Sequence, residues 1–115
     1  MMQIEEAIGR TAVAKEAIES QRKLWIELRM PEVVKNVLGE IETLIKEKAA
    51  EGESLLYCLS LSVIFSKLYI DFQYKELVRY EVLRELGNAG YQLTASGRDT
   101  YEVTISWHQK KEYSI

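Results

Sequence analysis

A chain of 115 residues with 47% hydrophobic and 29% charged residues has the size and composition of one globular domain, which excludes intrinsic disorder. No apolar run approaches the roughly 18 residues of a membrane-spanning helix, and a formal charge of −3 with Lys and Arg spread among Glu excludes general attraction to nucleic acid phosphates. The single Cys58 permits no internal disulfide, and the acidic start Met1-Met2-Gln3-Ile4-Glu5-Glu6 lacks the layout of a secretory signal, so the expected location is the cytoplasm.

Residues 3–29 contain no proline and carry Ile4, Thr11, Ile18 and Trp25 at intervals of seven, with Ala7, Ala14, Gln21 and Leu28 three positions after each. This a/d-like spacing predicts a long helix whose narrow stripe either packs on the next helix or forms an oligomer seam. Small residues (Ala7, Gly9, Ala12, Ala14, Ala17) crowd its first half and suit the close approach of another helix. Pro31 ends this helix and fits the first turn of a second, over about 31–50, because its missing N–H has no intrahelical partner there. In that second helix Val34, Val37, Leu38, Ile41, Leu44, Ile45 and Lys48 share a face, and Gly52 supplies the stop. The two helices are expected to form an antiparallel hairpin over 1–51, followed by a small α/β unit over 52–115.

Between Ser54 and Val63 the alternation of Leu55, Tyr57, Leu59, Leu61 and Val63 with Leu56, Cys58, Ser60 and Ser62 predicts a strand. Residues 64–72 fit an extended strand, a loop or the start of a helix, and are assigned to a loop or short turn. Asp71 then caps a helix over about 73–88 with Tyr74, Leu77, Val78, Val82 and Leu86 on its buried stripe. A β-hairpin follows. Tyr91, Leu93 and Ala95 share a face on its first strand, and Tyr101, Val103, Ile105 and Trp107 on its second, with the turn at Ser96, Gly97, Arg98 and Asp99. The predicted class is α+β, a helical hairpin followed by a β-α-β-β unit with one helix over a three-stranded sheet. It becomes a split βαβ unit if the last strand lies in the middle.

Chemistry-bearing motifs are sparse. One histidine, His108, and one cysteine supply no zinc-ligand set, and the six glycines form no phosphate loop, so neither metal nor cofactor is expected. Carboxylates pair at Glu5-Glu6, at Glu40 and Glu42, and at Glu81 and Glu85, but the last pair stands beside Arg84, Lys75 and Arg79 as a solvated charged face does. Ser60 and Ser62 lack the flanking glycines of a nucleophile elbow. No catalytic residue is assigned, and the chain is read as a non-enzyme.

Aromatics carry the stronger signal, because all seven tyrosines lie at or after Tyr57, together with Phe65, Phe72 and Trp107. Tyrosine joins apolar area to a hydroxyl at little conformational cost, which suits interfaces and stacking. Arg98, Tyr101 and Trp107 are the candidate binding residues, at a sheet edge and turn that place a cation near aromatic rings. Ile4, Thr11, Ile18 and Trp25 are the candidate oligomer seam.

The stretch Glu76-Leu77-Val78, Val82-Leu83, Leu86, Gly90-Tyr91-Gln92-Leu93 and Tyr101-Glu102-Val103-Thr104-Ile105-Ser106-Trp107, preceded by Ala49-Ala50-Glu51-Gly52-Glu53, resembles a pattern in small uncharacterised proteins encoded by tailed bacteriophages. In those a helix leads to Gly-Tyr-x-Val and a closing Ile-Ser-Trp strand; Leu93 stands where valine is common. The similarity covers roughly residues 40–107 and brings no catalytic or binding residues with it. It implies a viral protein acting in the cytoplasm of an infected bacterium. The functional expectation is a homo-oligomeric accessory protein that binds and inhibits a host protein. The alternatives are sequestration of a small signalling nucleotide and a minor structural role in the virion.

Overall fold

The computed structural model describes residues 1–95 and 100–107. It is α+β, with the elements α1 (Ile4–Leu28), α2 (Met30–Ala50), β1 (Leu55–Ser60), α3 (Leu61–Lys67), α4 (Lys75–Asn88), β2 (Gln92–Ala95) and β3 (Glu102–Ser106). A single 3-10 turn at Phe72–Tyr74 leads into α4. The chain divides into two compact units, Met1–Glu32 and Val33–Ile115.

The first unit is essentially α1. Its first turn carries Glu5 and Glu6, which favour the positive end of the helix dipole, and the Arg29 amide donates to the Trp25 carbonyl at 2.8 Å to close the last turn. None of its 25 residues is buried.

The second unit contains the core. On α2 the buried residues Val34, Val37, Ile41 and Ile45 recur at intervals of three and four, the spacing that keeps one face inward. The helix stops in a Schellman motif: the Glu53 amide donates to the Lys48 carbonyl, the Gly52 amide to that of Ala49, both at 3.0 Å, and Gly52 takes φ +82°. The sheet has the order β1-β3-β2 with both pairs antiparallel, so β1 and β2 run parallel on either side of the last strand. This is the split βαβ arrangement. Directly opposed residues share a face, which places Leu56, Ile105 and Leu93 in one row across the sheet and Leu59, Val103 and Ala95 in the next. Val103 and Ile105 are buried, as their alternation predicts, together with Tyr74, Val78, Val82 and Leu86 from the α4 segment. No polar or charged residue is buried among the described residues.

Sequence expectations are corrected in the crossover and along β1. The strand predicted over Ser54–Val63 ends at Ser60, and residues 64–72, assigned to a loop, instead contain the end of α3 and the start of the 3-10 turn. Ser60 caps α3, its hydroxyl accepting from the Val63 amide at 3.4 Å, and Leu61, Ile64 and Phe65 turn into the core. The crossover between β1 and β2 therefore carries two helices. Asp71 is a cap as expected, but for the 3-10 turn, through the Gln73 amide at 3.2 Å. The alternation along β1 also misleads. A bulge between Leu56 and Leu59 sets Tyr57 and Cys58 against one residue of β3, so the inward pair is Leu56 and Leu59, three residues apart. Cys58 takes φ +50° within the bulge, and its amide donates to the Thr104 hydroxyl at 3.2 Å.

Candidate interaction surfaces

Tyr101 precedes β3 and Trp107 follows it, so the two candidate aromatics are separated by the length of a five-residue strand. The structure does not bring them into one site. Tyr101 is half-buried where the sheet meets the helices. Its ring stands edge-on to Phe65 of α3 at 6.0 Å, its hydroxyl donates to Glu76 Oε1 at 2.7 Å, and the Arg79 guanidinium lies 5.6 Å from the ring centre. Arg79 also binds Glu76 at 2.9 Å. Together these partners hold the Glu76 carboxyl below its ordinary value, the Arg79 hydrogen bond contributing most and the Tyr101 hydroxyl next. Tyr101 thus fastens β3 to α3 and α4. Trp107 is half-buried at the other end, edge-on to Tyr91 at 6.4 Å, with its amide donating to the Ser54 carbonyl at 3.1 Å. Arg98, with the rest of the hairpin turn at Ser96–Asp99, lies outside the described residues, as do His108 and the Lys110-Lys111 tail.

The α4 carboxylates are occupied by cations. Arg84 binds Glu81 closely and reaches Glu85 at 3.8 Å, and the Glu81 contact raises the guanidinium above its usual range. No group of three or more His, Cys, Asp or Glu among the described residues is placed to hold a metal ion, and no described helix is long and apolar enough to cross a membrane. A cleft of about 230 Å³ lies between α2 and the end of α4, floored by Leu38, Ile45, Leu86 and Tyr91 and edged by Glu42 and Glu85. Both rim carboxylates are paired with cations, Glu42 with Lys46 at 3.3 Å and Glu85 with Arg84 at 3.8 Å, and the cleft's volume falls below the usual range for small-molecule sites, about 300 Å³ and upward.

The oligomer-seam candidates lie in α1. Ile4 and Ile18 are more than half exposed, Thr11 is exposed and Trp25 is half-buried. Ile8, Val13, Leu24 and Leu28 are each more than half exposed as well. A second exposed feature escaped the sequence reading. At the end of α3, Tyr69 is 93% exposed with φ +56°, and Phe72 is 84% exposed beneath the Lys75 ammonium, 5.4 Å from the ring centre. The α3 end is another Schellman motif, with the Ile70 amide on the Phe65 carbonyl at 3.0 Å and the Tyr69 amide on that of Ser66 at 3.3 Å. Tyr69 stands where glycine is usual.

The chain matches no protein-family model, and no curated protein or solved structure matches it.

Proposed function

We propose that this chain is a non-enzymatic accessory protein that docks another protein through α1, with inhibition by steric occlusion of a host protein in an infected bacterium as its mode of action. One observation carries the reading. A 25-residue helix bearing Ile4, Ile8, Val13, Ile18, Leu24 and Leu28 buries none of its residues within its own chain. Helices in proteins derive most of their stability from packing an apolar face, so a helix of this composition calls for a partner outside the chain. The non-enzymatic reading is supported by the α4 carboxylates Glu81 and Glu85, which are already engaged by arginine.

Native mass spectrometry of the protein purified from bacterial lysate tests this reading, with the Ile4→Glu/Ile18→Glu double variant as control. Wild type is expected to appear with a bound protein in addition to the 13.3 kDa chain. The variant is expected to be a folded monomer without that addition. Identical spectra for the two would refute a docking role for α1, and a small added mass surviving in the variant would support nucleotide sequestration instead.

A further inference from the structure

We propose that the occupant of α1 is an acidic amphipathic helix of a different protein. This rests on the reading of α1 as the docking element and adds the chemistry of what docks. Ile4, Ala7, Thr11, Ala14 and Ile18 recur at three- and four-residue spacing and form one exposed or half-exposed stripe. At about 100° of rotation per residue, Lys15 and Arg22 fall roughly 60° and 40° to one side of Ile18, and Arg10 about 80° to the other. Glu5, Glu6, Glu16, Glu19 and Glu27 all lie about 100° or more away, with Lys23 among them. The charged residues on the near flanks are therefore all basic, and those of the far side are all acidic except Lys23, with Val13 and Leu24 also on that side.

Solvation alone does not require this sorting, since interspersed charges dissolve a helix equally well and add i,i+4 pairs. α1 makes one such pair, Arg10 with Glu6 at 3.0 Å; Lys15 and Arg22 form no ion pair among the described residues. Charges flanking an apolar seam select the partner helix. A second copy of the chain set against this stripe brings Lys15 toward Arg10 when parallel and toward Lys15 or Arg22 when antiparallel, with no glutamate on the near flanks to offset them. A glutamate-flanked helix complements it.

The stripe also distinguishes a helix from a lipid surface. Ala7, Thr11 and Ala14 offer little apolar area for insertion among acyl chains, and the bulky Ile8, Val13, Leu24 and Leu28 lie about 80–140° from Ile18 on both sides, so no single face concentrates bulky residues as insertion requires. They let a second helix approach to the near end of the 8–10 Å range of interaxial distance. The seat from Ile4 to Ile18 is about 21 Å long at 1.5 Å per residue.

The experiment uses the full chain and two synthetic helical peptides of about the length of α1. Both share an Ile/Ala seam, one flanked by Glu and the other by Lys, and binding is followed by isothermal titration calorimetry at low and high salt. The Glu peptide is expected to bind, with affinity falling roughly tenfold or more as salt screens the pairs, and the Lys peptide is expected not to bind. Lys15→Glu/Arg22→Glu, on an exposed face and checked for helix content by circular dichroism, is expected to exchange the preference.

Equal binding of both peptides, or binding of neither, overturns the acidic occupant. A dimer detected by light scattering that excludes the Glu peptide would assign the seam to a second copy. Uptake by phosphatidylserine vesicles without peptide binding would assign it to a membrane. If the peptides fail while Ile4→Glu/Ile18→Glu still abolishes an association, the docking role of α1 stands and only the acidic occupant falls. If no α1 substitution changes any association, both fall.

Discussion

The two phenylalanines give the sharpest test of the fold, because they lie seven positions apart in a segment that sequence patterns leave ambiguous and have opposite environments. Phe65 is fully buried on α3 with its ring against the edge of Tyr101 at 6.0 Å, whereas Phe72 is 84% exposed. Phe65→Ala removes a full aromatic side chain from the core and leaves a cavity, an expected cost of about 3–5 kcal/mol. Against the 5–15 kcal/mol that typically holds a domain together, that is a large share, and it corresponds to a fall in Tm of roughly 12 °C or more. Phe72→Ala is expected to cost no more than about 0.5 kcal/mol. Urea unfolding followed by far-UV circular dichroism measures both, with unchanged m-values confirming a common transition. A double-mutant cycle between Phe65→Ala and Tyr101→Leu is expected to show a coupling of about 1 kcal/mol from the ring contact. Equal effects at Phe65 and Phe72, or a Phe65→Ala cost below about 1 kcal/mol, would refute the placement of α3 in the core.

Other substitutions probe the backbone, the charges and the first unit. Tyr69→Gly relieves a left-handed conformation at a side chain that packs on little, and is expected to raise stability by about 0.5–1 kcal/mol after the entropic cost of glycine. Gly90→Ala, at φ +99° with open space around a new Cβ, is expected to cost about 1 kcal/mol for purely conformational reasons, measured by the same unfolding curves. The Glu76 carboxyl is held below its ordinary value of 4.5 by Arg79 and Tyr101, so its contribution to stability is complete above that pH and is lost as pH falls through the lowered value. The difference in stability between wild type and Glu76→Gln should accordingly be constant near neutrality and shrink in acid; a difference that grew in acid would contradict the assigned partners. Ile4→Glu/Ile18→Glu should leave the unfolding transition of Val33–Ile115 within about 0.5 kcal/mol of wild type, since neither residue is buried.

The hairpin and the long helices were legible because their signals are periodic and local. Val103 and Ile105 alternate with polar neighbours, and Val34, Val37, Ile41 and Ile45 step along one helical face. The stretch from Tyr57 to Tyr69 was not legible, for a common reason. Both places where the chain changes direction use a left-handed residue other than glycine, Cys58 in the bulge and Tyr69 at the end of α3, so the usual marker is missing. Read as one unbroken strand, the segment puts Leu55, Leu59 and Leu61 on one face, whereas the bulge makes Leu56 and Leu59 the inward pair of β1 and Leu61 opens α3. Ser60, which caps α3, falls in the polar register of that unbroken alternation and so reads as a strand residue. At Tyr101 the pattern gave the face and not the partner, because Glu76, 25 residues earlier, is reached only by folding. The sorting of charge along α1 is readable from spacing alone; that none of its residues is buried required the coordinates.

The bulge in β1 bears on whether the strand of another molecule can add to the sheet. A three-stranded sheet has two open edges, and an unbroken row of unpaired amides and carbonyls invites the strand of another molecule to add, the first step toward fibres. Here β2 is four residues long, and β1 is interrupted at Tyr57 and Cys58, with the Cys58 amide turned onto the Thr104 hydroxyl. Neither edge offers a long, flat template. Both edges of the sheet are thus closed to runaway growth by addition of further strands.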